Sequence, residues 1–185
     1  FLFYSAIDSS INKKDKKIIT SYNSMMIDAM FYVGRYDKKY ENMALKSIEK
    51  LTKLAYRDFK LYHFEEVEAF FDDYAFFATA LLSAFRSNND EIYLIEAQKI
   101  INEALEKFYK NGFWSFSTTK YNTEAKAKDE IYTSAIGVMV KALKEISKYL
   151  KDEKYSHFAS KTIQYNSYNT IRETLPHATL MIEYF

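Results

Sequence analysis

A chain of 185 residues with 26 Lys and Arg against 25 Asp and Glu is close to neutral, which argues against a protein held on nucleic acid by a basic surface. With no cysteine, it has no disulfide framework, thiolate zinc site or thiol redox chemistry of its own. Three glycines and one proline are too few for the turns of a strand-rich fold, so long helices are the economical reading.

The opening stretch "FLFYSAI" has neither a basic leader nor a cleavage site, and it is too short for a signal core or a membrane span. We therefore expect a cut end. Residues 1–14 would be an irregular lead-in, and 1–185 one helical domain, the C-terminal fragment of a longer, cytoplasmic protein. Only Arg35, Arg57, Arg86 and Arg172 are arginines, few for bidentate phosphate or base recognition.

Apolar residues at three- and four-residue steps predict helices over 18–33, 38–57, 70–86, 90–109, 130–149 and 153–172, with a short seventh over 177–185. In the second, Met43, Ala44, Ile48, Leu51 and Ala55 face inward, while Lys39, Lys46, Glu49, Lys50 and Lys53 face water. In the fourth, Tyr93, Ala97, Ile100, Ala104, Leu105 and Phe108 share one side, with Gln98, Lys99, Asn102 and Glu103 on the other. The first, third and fifth are apolar nearly all round. "IITSYNSMMIDAMFYV" has only Ser21, Asn23, Ser24 and Asp28 as strongly polar breaks, and "IYTSAIGVMVKAL" has no charge before Lys141. Such helices must be covered on most sides.

Buried and surface helices thus alternate three times, at a period of about 50–60 residues. That pattern predicts an all-α fold of antiparallel helical hairpins forming part of an (α/α) toroid, inner helices ringing an axis and outer ones shielding them. A short β-hairpin is expected near 113–118, where "FWSFS" alternates. Six or seven helices make an arc rather than a closed ring, and an arc leaves an apolar flank open to a partner.

The links are unequal. Those from buried to surface helices are short: "GRYD" (34–37), "SNN" (87–89) and "KDE" (151–153). Those returning are long, 58–69 and 110–129, and in antiparallel hairpins all of them lie at the end holding the N-termini of the buried helices. The polar residues of those helices gather at the same rim: Asn23, Asp72, Asp73, Asp129, Glu130, Thr133 and Ser134, with Asp15 close by.

Three of these helix starts also form a recognisable series. "DKKIITSYNSMMIDAM" (15–30), "FDDYAFFATALL" (71–82) and "FYKNGFWSFST" (108–118), followed by "KDEIYTSA" (128–135), resemble the C-terminal region of a thioredoxin-domain-containing family that includes the spermatogenesis-associated thioredoxin-like protein of mammals. The resemblance implies an (α/α) toroid similar to six-hairpin glycosidases and sugar 2-epimerases. The chain departs from the family pattern at Tyr22-Asn23, where Trp-Asn is usual, and at Thr133-Ser134-Ala135-Ile136, where Pro-Ser-Gly-Asn is usual. The thioredoxin part falls outside these residues, so no redox function is implied.

The candidate catalytic residues are Asp72, Asp73 and Asp129. A carboxylate at a helix start can equally be a cap, worth about 0.5–2 kcal/mol. Acid–base chemistry on sugars wants two carboxyl groups about 5–9.5 Å apart, and neighbours on one helix diverge, so Asp129 or Glu130 is the natural partner. The candidate substrate-binding residues are Tyr22, Asn23, His63, Trp114 and Ser134. Trp114, with Phe113 and Phe116, either plugs the core or offers a flat face to a sugar ring. Asn23 is either satisfied by backbone or aimed at a ligand. Asp28 is expected to pair with a lysine or tyrosine. His63 is the one histidine in a rim loop, and His63, His157 and His177 lack metal-ligand spacing, so no metal or cofactor is expected.

Two functions follow. One is a glycosidase-like toroid domain that binds or processes a carbohydrate at the rim. The alternative is a non-catalytic scaffold docking the N-terminal part of its own chain or a second copy through apolar helix faces. Neither involves nucleic acid or a membrane, and the residues leave open whether the chain is an enzyme.

Overall fold

A computed structural model describes residues 16–120 and 123–185. The lead-in expected over 1–14, and Asp15 after it, lie outside the described residues. Helices α1 (Thr20–Gly34), α2 (Lys38–Ala55), α3 (Phe71–Asn88), α4 (Glu91–Phe108), α5 (Ala135–Leu150) and α6 (Glu153–Arg172) form three successive hairpins. A short α7 (Ala178–Met181), flanked by 3-10 turns at Leu175–His177 and Ile182–Tyr184, occupies part of the span expected as a seventh helix.

The hairpins share one local device. Each short link ends on an aspartate that caps the outer helix: Asp37 accepts from Lys39 N–H (2.9 Å), Asp90 from Ile92 N–H (3.1 Å) and Asp152 from Lys154 N–H (3.1 Å). Asn89 and Lys151 close α3 and α5 in the left-handed region, at φ 55° and 52°.

Helix α3 is the centre of the core. It packs against α1, α4 and α5, and every residue from Phe71 to Ala84 is buried. Fully buried side chains such as Phe77, Leu81 and Leu82 each stabilise the fold by about 1.5–3 kcal/mol. The outer helices bury single stripes, Ala44, Ile48 and Leu51 in α2 and Tyr93, Ala97, Ile100, Ile101 and Ala104 in α4. Glu103, expected to face water, instead accepts from the Tyr56 hydroxyl. The first helix departs from expectation, because Tyr22, Tyr32 and Val33 are exposed. Its apolar composition is that of a covered helix, but among the described residues no helix lies beyond it. At the other side, α7 runs so close over α5 that a Cβ on Gly137 would stand 2.7 Å from Thr179 and 2.8 Å from the Leu180 nitrogen.

The long links carry strands. Residues 58–69, read from sequence as loop, include most of an antiparallel sheet, β1 (Tyr56–Arg57), β2 (Lys60–Phe64) and β3 (Val67–Glu68). The hairpin expected near 113–118 lies over β4 (Tyr109–Lys110) and β5 (Phe113–Trp114), and Ser115 bridges Glu124 beyond it. Both sheets sit at the inner-helix N-termini: Thr20 Oγ1 donates to Tyr62 O (2.6 Å) and Phe71 N–H to Phe116 O (3.0 Å). Helix α5 begins at Ala135 rather than near 130, because Asp129 holds the preceding residues in a bend through the Ser134 N–H (2.7 Å). Among the described residues, no helix is long and apolar enough to cross a membrane.

Candidate functional site

The two aspartates that open α3 have different surroundings. Asp73 has no exposed surface, and both of its oxygens meet donors. Oδ1 accepts from Ser21 N–H at 2.9 Å, and Oδ2 reaches back to Phe70 N–H at 2.9 Å, as a third-position acid does in a capping box. His63 Nδ1 stands 3.0 and 2.8 Å from the same two oxygens. Asp73 therefore ties α1, β2 and the start of α3 into one corner, with no lone pair directed at a ligand. Burial alone would lower the His63 pKa, but the hydrogen bond and charge of Asp73, with the charge of Asp72, outweigh it, and the imidazole titrates above its ordinary value.

Asp72 is nearly buried too, but it lines a cavity of about 320 Å³ between the α3 start and the 123–135 segment. Its Oδ1 accepts from Asp73 N–H at 3.0 Å, and it shares a hydrogen bond with Tyr132. Burial first, and the Asp73 charge second, push its pKa from the ordinary 3.8 up to about 6. The same burial and the two carboxylates push the Tyr132 phenol up to about 12, which keeps it a hydrogen-bond donor. Tyr132 meets Tyr22 edge-on at 6.0 Å and Phe76 at 5.8 Å, and Phe116 adds a second aromatic wall, stacked on Phe70 at 5.1 Å. A carboxyl with a pKa near neutrality, walled by aromatic rings, can donate a proton or accept a hydroxyl.

The other candidates are placed as follows. Asp129 accepts from Ser134 N–H with Oδ1 and from Thr179 N–H (2.9 Å) with Oδ2, clipping the α5 approach to α7, so it does not oppose Asp72 across the cavity. Ser134 lines the cavity, but its hydroxyl caps Gly137 N–H at 3.0 Å. Trp114 is wholly enclosed, its ring against Phe71 and Tyr109 and its Nε1 donating to Thr162 Oγ1 at 2.9 Å, so it presents no face to a sugar. Asn23 is buried and donates to Ile19 O at 2.8 Å. Tyr22 is half-exposed beside Tyr132, and His63 is held on Asp73. Among the described residues, Asp28 pairs with neither lysine nor tyrosine. It accepts from Ser83 Oγ and lies 4.0 Å from Arg86, which also pairs with Glu145 in a cleft among Tyr32, Arg86 and Tyr149.

Sequence reasoning missed Tyr132 and Glu124 as cavity residues. The only signal for Tyr132 was its place just before a buried helix start. Among the described residues, no group of three or more His, Cys, Asp or Glu is placed to hold a metal ion.

No family model matches the chain, and no curated protein does. Solved structures do match it. The Lin0763 protein from Listeria innocua superposes with a TM-score of 0.65 at 16% identity, covering 82% of this chain and 44% of that one. An inactive variant of an α-1,6-mannanase from Salegentibacter sp. HEL1_6, in complex with α-1,6-mannotriose, gives 0.64 at 15%, covering 79% and 46%. That variant carries asparagine in place of two adjacent aspartates. The unsaturated glucuronyl hydrolase from Bacillus sp. GL1 gives 0.64 at 14%, covering 86% and 48%. The chain spans less than half the length of each. At these identities the likeness shows the fold: an all-α arc of helical hairpins of the (α/α)-toroid, six-hairpin glycosidase type.

Proposed function

We propose that the rim cavity binds a carbohydrate and that Asp72 is the group that meets it. The observation that carries this reading is one carboxyl, nearly buried, pushed up to about 6 and set in the wall of an aromatic-lined cavity. When protonated it can donate to a glycosidic oxygen, and when ionised it can accept from sugar hydroxyls. The two adjacent aspartates exchanged in the inactive mannanase support the reading, since Asp72 and Asp73 are also adjacent. Here the pair divides its labour, with Asp73 and His63 fixing the frame and Asp72 facing the cavity. With Asp129 bound to backbone, the partner carboxylate that glycoside cleavage needs would have to come from Glu124 or Glu130, both on the cavity lining. Saturation-transfer NMR with mono- and disaccharides on wild type and Asp72→Asn tests the proposal. Transfer to a sugar in wild type, lost in the variant, is the expected result. Silence from every sugar overturns it.

A second reading rests on the exposed Tyr22, Tyr32 and Val33 of α1 and on a span below half that of the matched toroids. The arc would then be a scaffold, docking the N-terminal part of a longer chain or a second copy. The motif series supports placing that longer chain in the thioredoxin-domain family. Concentration-dependent association in sizing chromatography, weakened by Tyr32→Lys, is the expected outcome. A monomer at all concentrations removes the second-copy version.

A further inference from the structure

We infer that the rim cavity takes neutral sugars and discriminates against uronic acids, an inference that rests on the carbohydrate reading above. The argument is one of charge. Among the described residues, two lysines line the cavity, and both have partners: Lys126 Nζ is 2.8 Å from Glu130, and Lys128 Nζ is 3.6 Å from Glu173. These pairs are solvent-exposed and individually weak, so neither ammonium is locked in place. Turning either toward a ligand carboxylate, however, strips a glutamate of its counter-charge, and Glu130 itself lines the cavity.

Asp72 and Glu124 add two more carboxyl groups to the lining. With Asp72 ionised, the described lining sets three carboxylates against two ammoniums, and a uronate would bring a fourth anion beside the nearly buried Asp72. Planar, bidentate arginine is the strongest side-chain grip on a carboxylate, and none of the described lining residues is an arginine. The N-terminus of α5 opens here and by itself would favour an anion. Its Gly137 N–H is already taken by Ser134 Oγ, and the Ser134 N–H just ahead of the helix is taken by Asp129.

A neutral ring meets none of these penalties. Phe116 and Tyr132 offer apolar faces to its C–H groups. Asp72 and Glu124 are acceptors for its hydroxyls, and carboxylates bind hydroxyl donors through charge-assisted hydrogen bonds.

Titration of wild type at pH 7 and constant salt with methyl α-mannoside, methyl α-glucoside and methyl α-glucuronide, read by saturation-transfer NMR, tests the inference. The neutral glycosides should bind about tenfold tighter than the glucuronide, the scale of one like-charge contact in a largely aqueous setting. Glu124→Gln, an exposed and structurally mild change, should narrow that gap by raising glucuronide binding. Equal or tighter binding of the glucuronide overturns the neutral preference and leaves the carbohydrate reading standing. A gap unmoved by Glu124→Gln overturns the charge argument. Absence of binding by all three overturns the preference together with the reading beneath it.

Discussion

Replacing Asp72 by asparagine should make the protein more stable at neutral pH, and the size of the gain follows from its position. The unfolded chain releases this proton near 3.8 and the folded chain near 6, so between those values the folded state holds more protons. Stability therefore falls as pH rises from about 4 to about 6, and above that window the full penalty of an ionised, nearly buried carboxylate is present. The interval corresponds to about 3 kcal/mol, an upper bound on the gain because the asparagine amide must itself be desolvated. Asparagine keeps an oxygen for Asp73 N–H, and the Tyr132 hydroxyl can rotate to accept from the new amide. A gain of about 1–3 kcal/mol at pH 7.5 is expected, or about 3–10 °C in Tm for a chain of this size. Urea unfolding at pH 7.5 and pH 4 measures it as a shift in midpoint at constant slope, present at the first pH and absent at the second. Asp73→Asn is the opposing control. Its amide must face either the Ser21 or the Phe70 N–H, leaving two donors nose to nose at a cost of about 2–4 kcal/mol. An Asp72→Asn protein that is less stable at pH 7.5, or equally shifted at both pH values, would refute the reasoning and reduce Asp72 to a helix cap.

Two further substitutions test the frame around the cavity. Thr162→Val removes the acceptor of the enclosed Trp114 indole N–H and should cost about 1–3 kcal/mol, whereas Thr162→Ser should cost less; fluorescence of the single tryptophan follows the unfolding. Gly112→Ala combines a backbone at φ +93° with a Cβ 2.5 Å from Lys161 O and 2.8 Å from Tyr165 Cβ, so a loss of at least about 2 kcal/mol is expected in the same denaturation experiment.

What was legible in the sequence was whatever depends on neighbours along the chain. The alternation of buried and surface helices shows in the side-chain period, and the short links show as breaks in it; the caps Asp37, Asp90 and Asp152 went unread there, although each acts within two residues of itself. Asp72 and Asp73 announce themselves as adjacent charges ahead of an apolar run. Their division of labour does not, because the partners of Asp73 are His63, ten residues upstream, and Ser21, fifty-two residues upstream. Asp129 carries the same ambiguity, since the group that takes its second oxygen is Thr179, fifty residues away. Trp114 has an apolar body and one polar atom, a combination that suits a core or a binding face equally well. Only Thr162 on α6 decides between them.

The exposed side of α1 shows the other limit. Composition records that a helix is fit to be covered, but the described residues leave Tyr22, Tyr32 and Val33 exposed. Asp72 stands at the start of α3, with Phe116 after β5 and Tyr132 on the approach to α5 beside it. The half-exposed Tyr22, which meets Tyr132 edge-on, is the point where a partner on α1 would first be felt in the cavity.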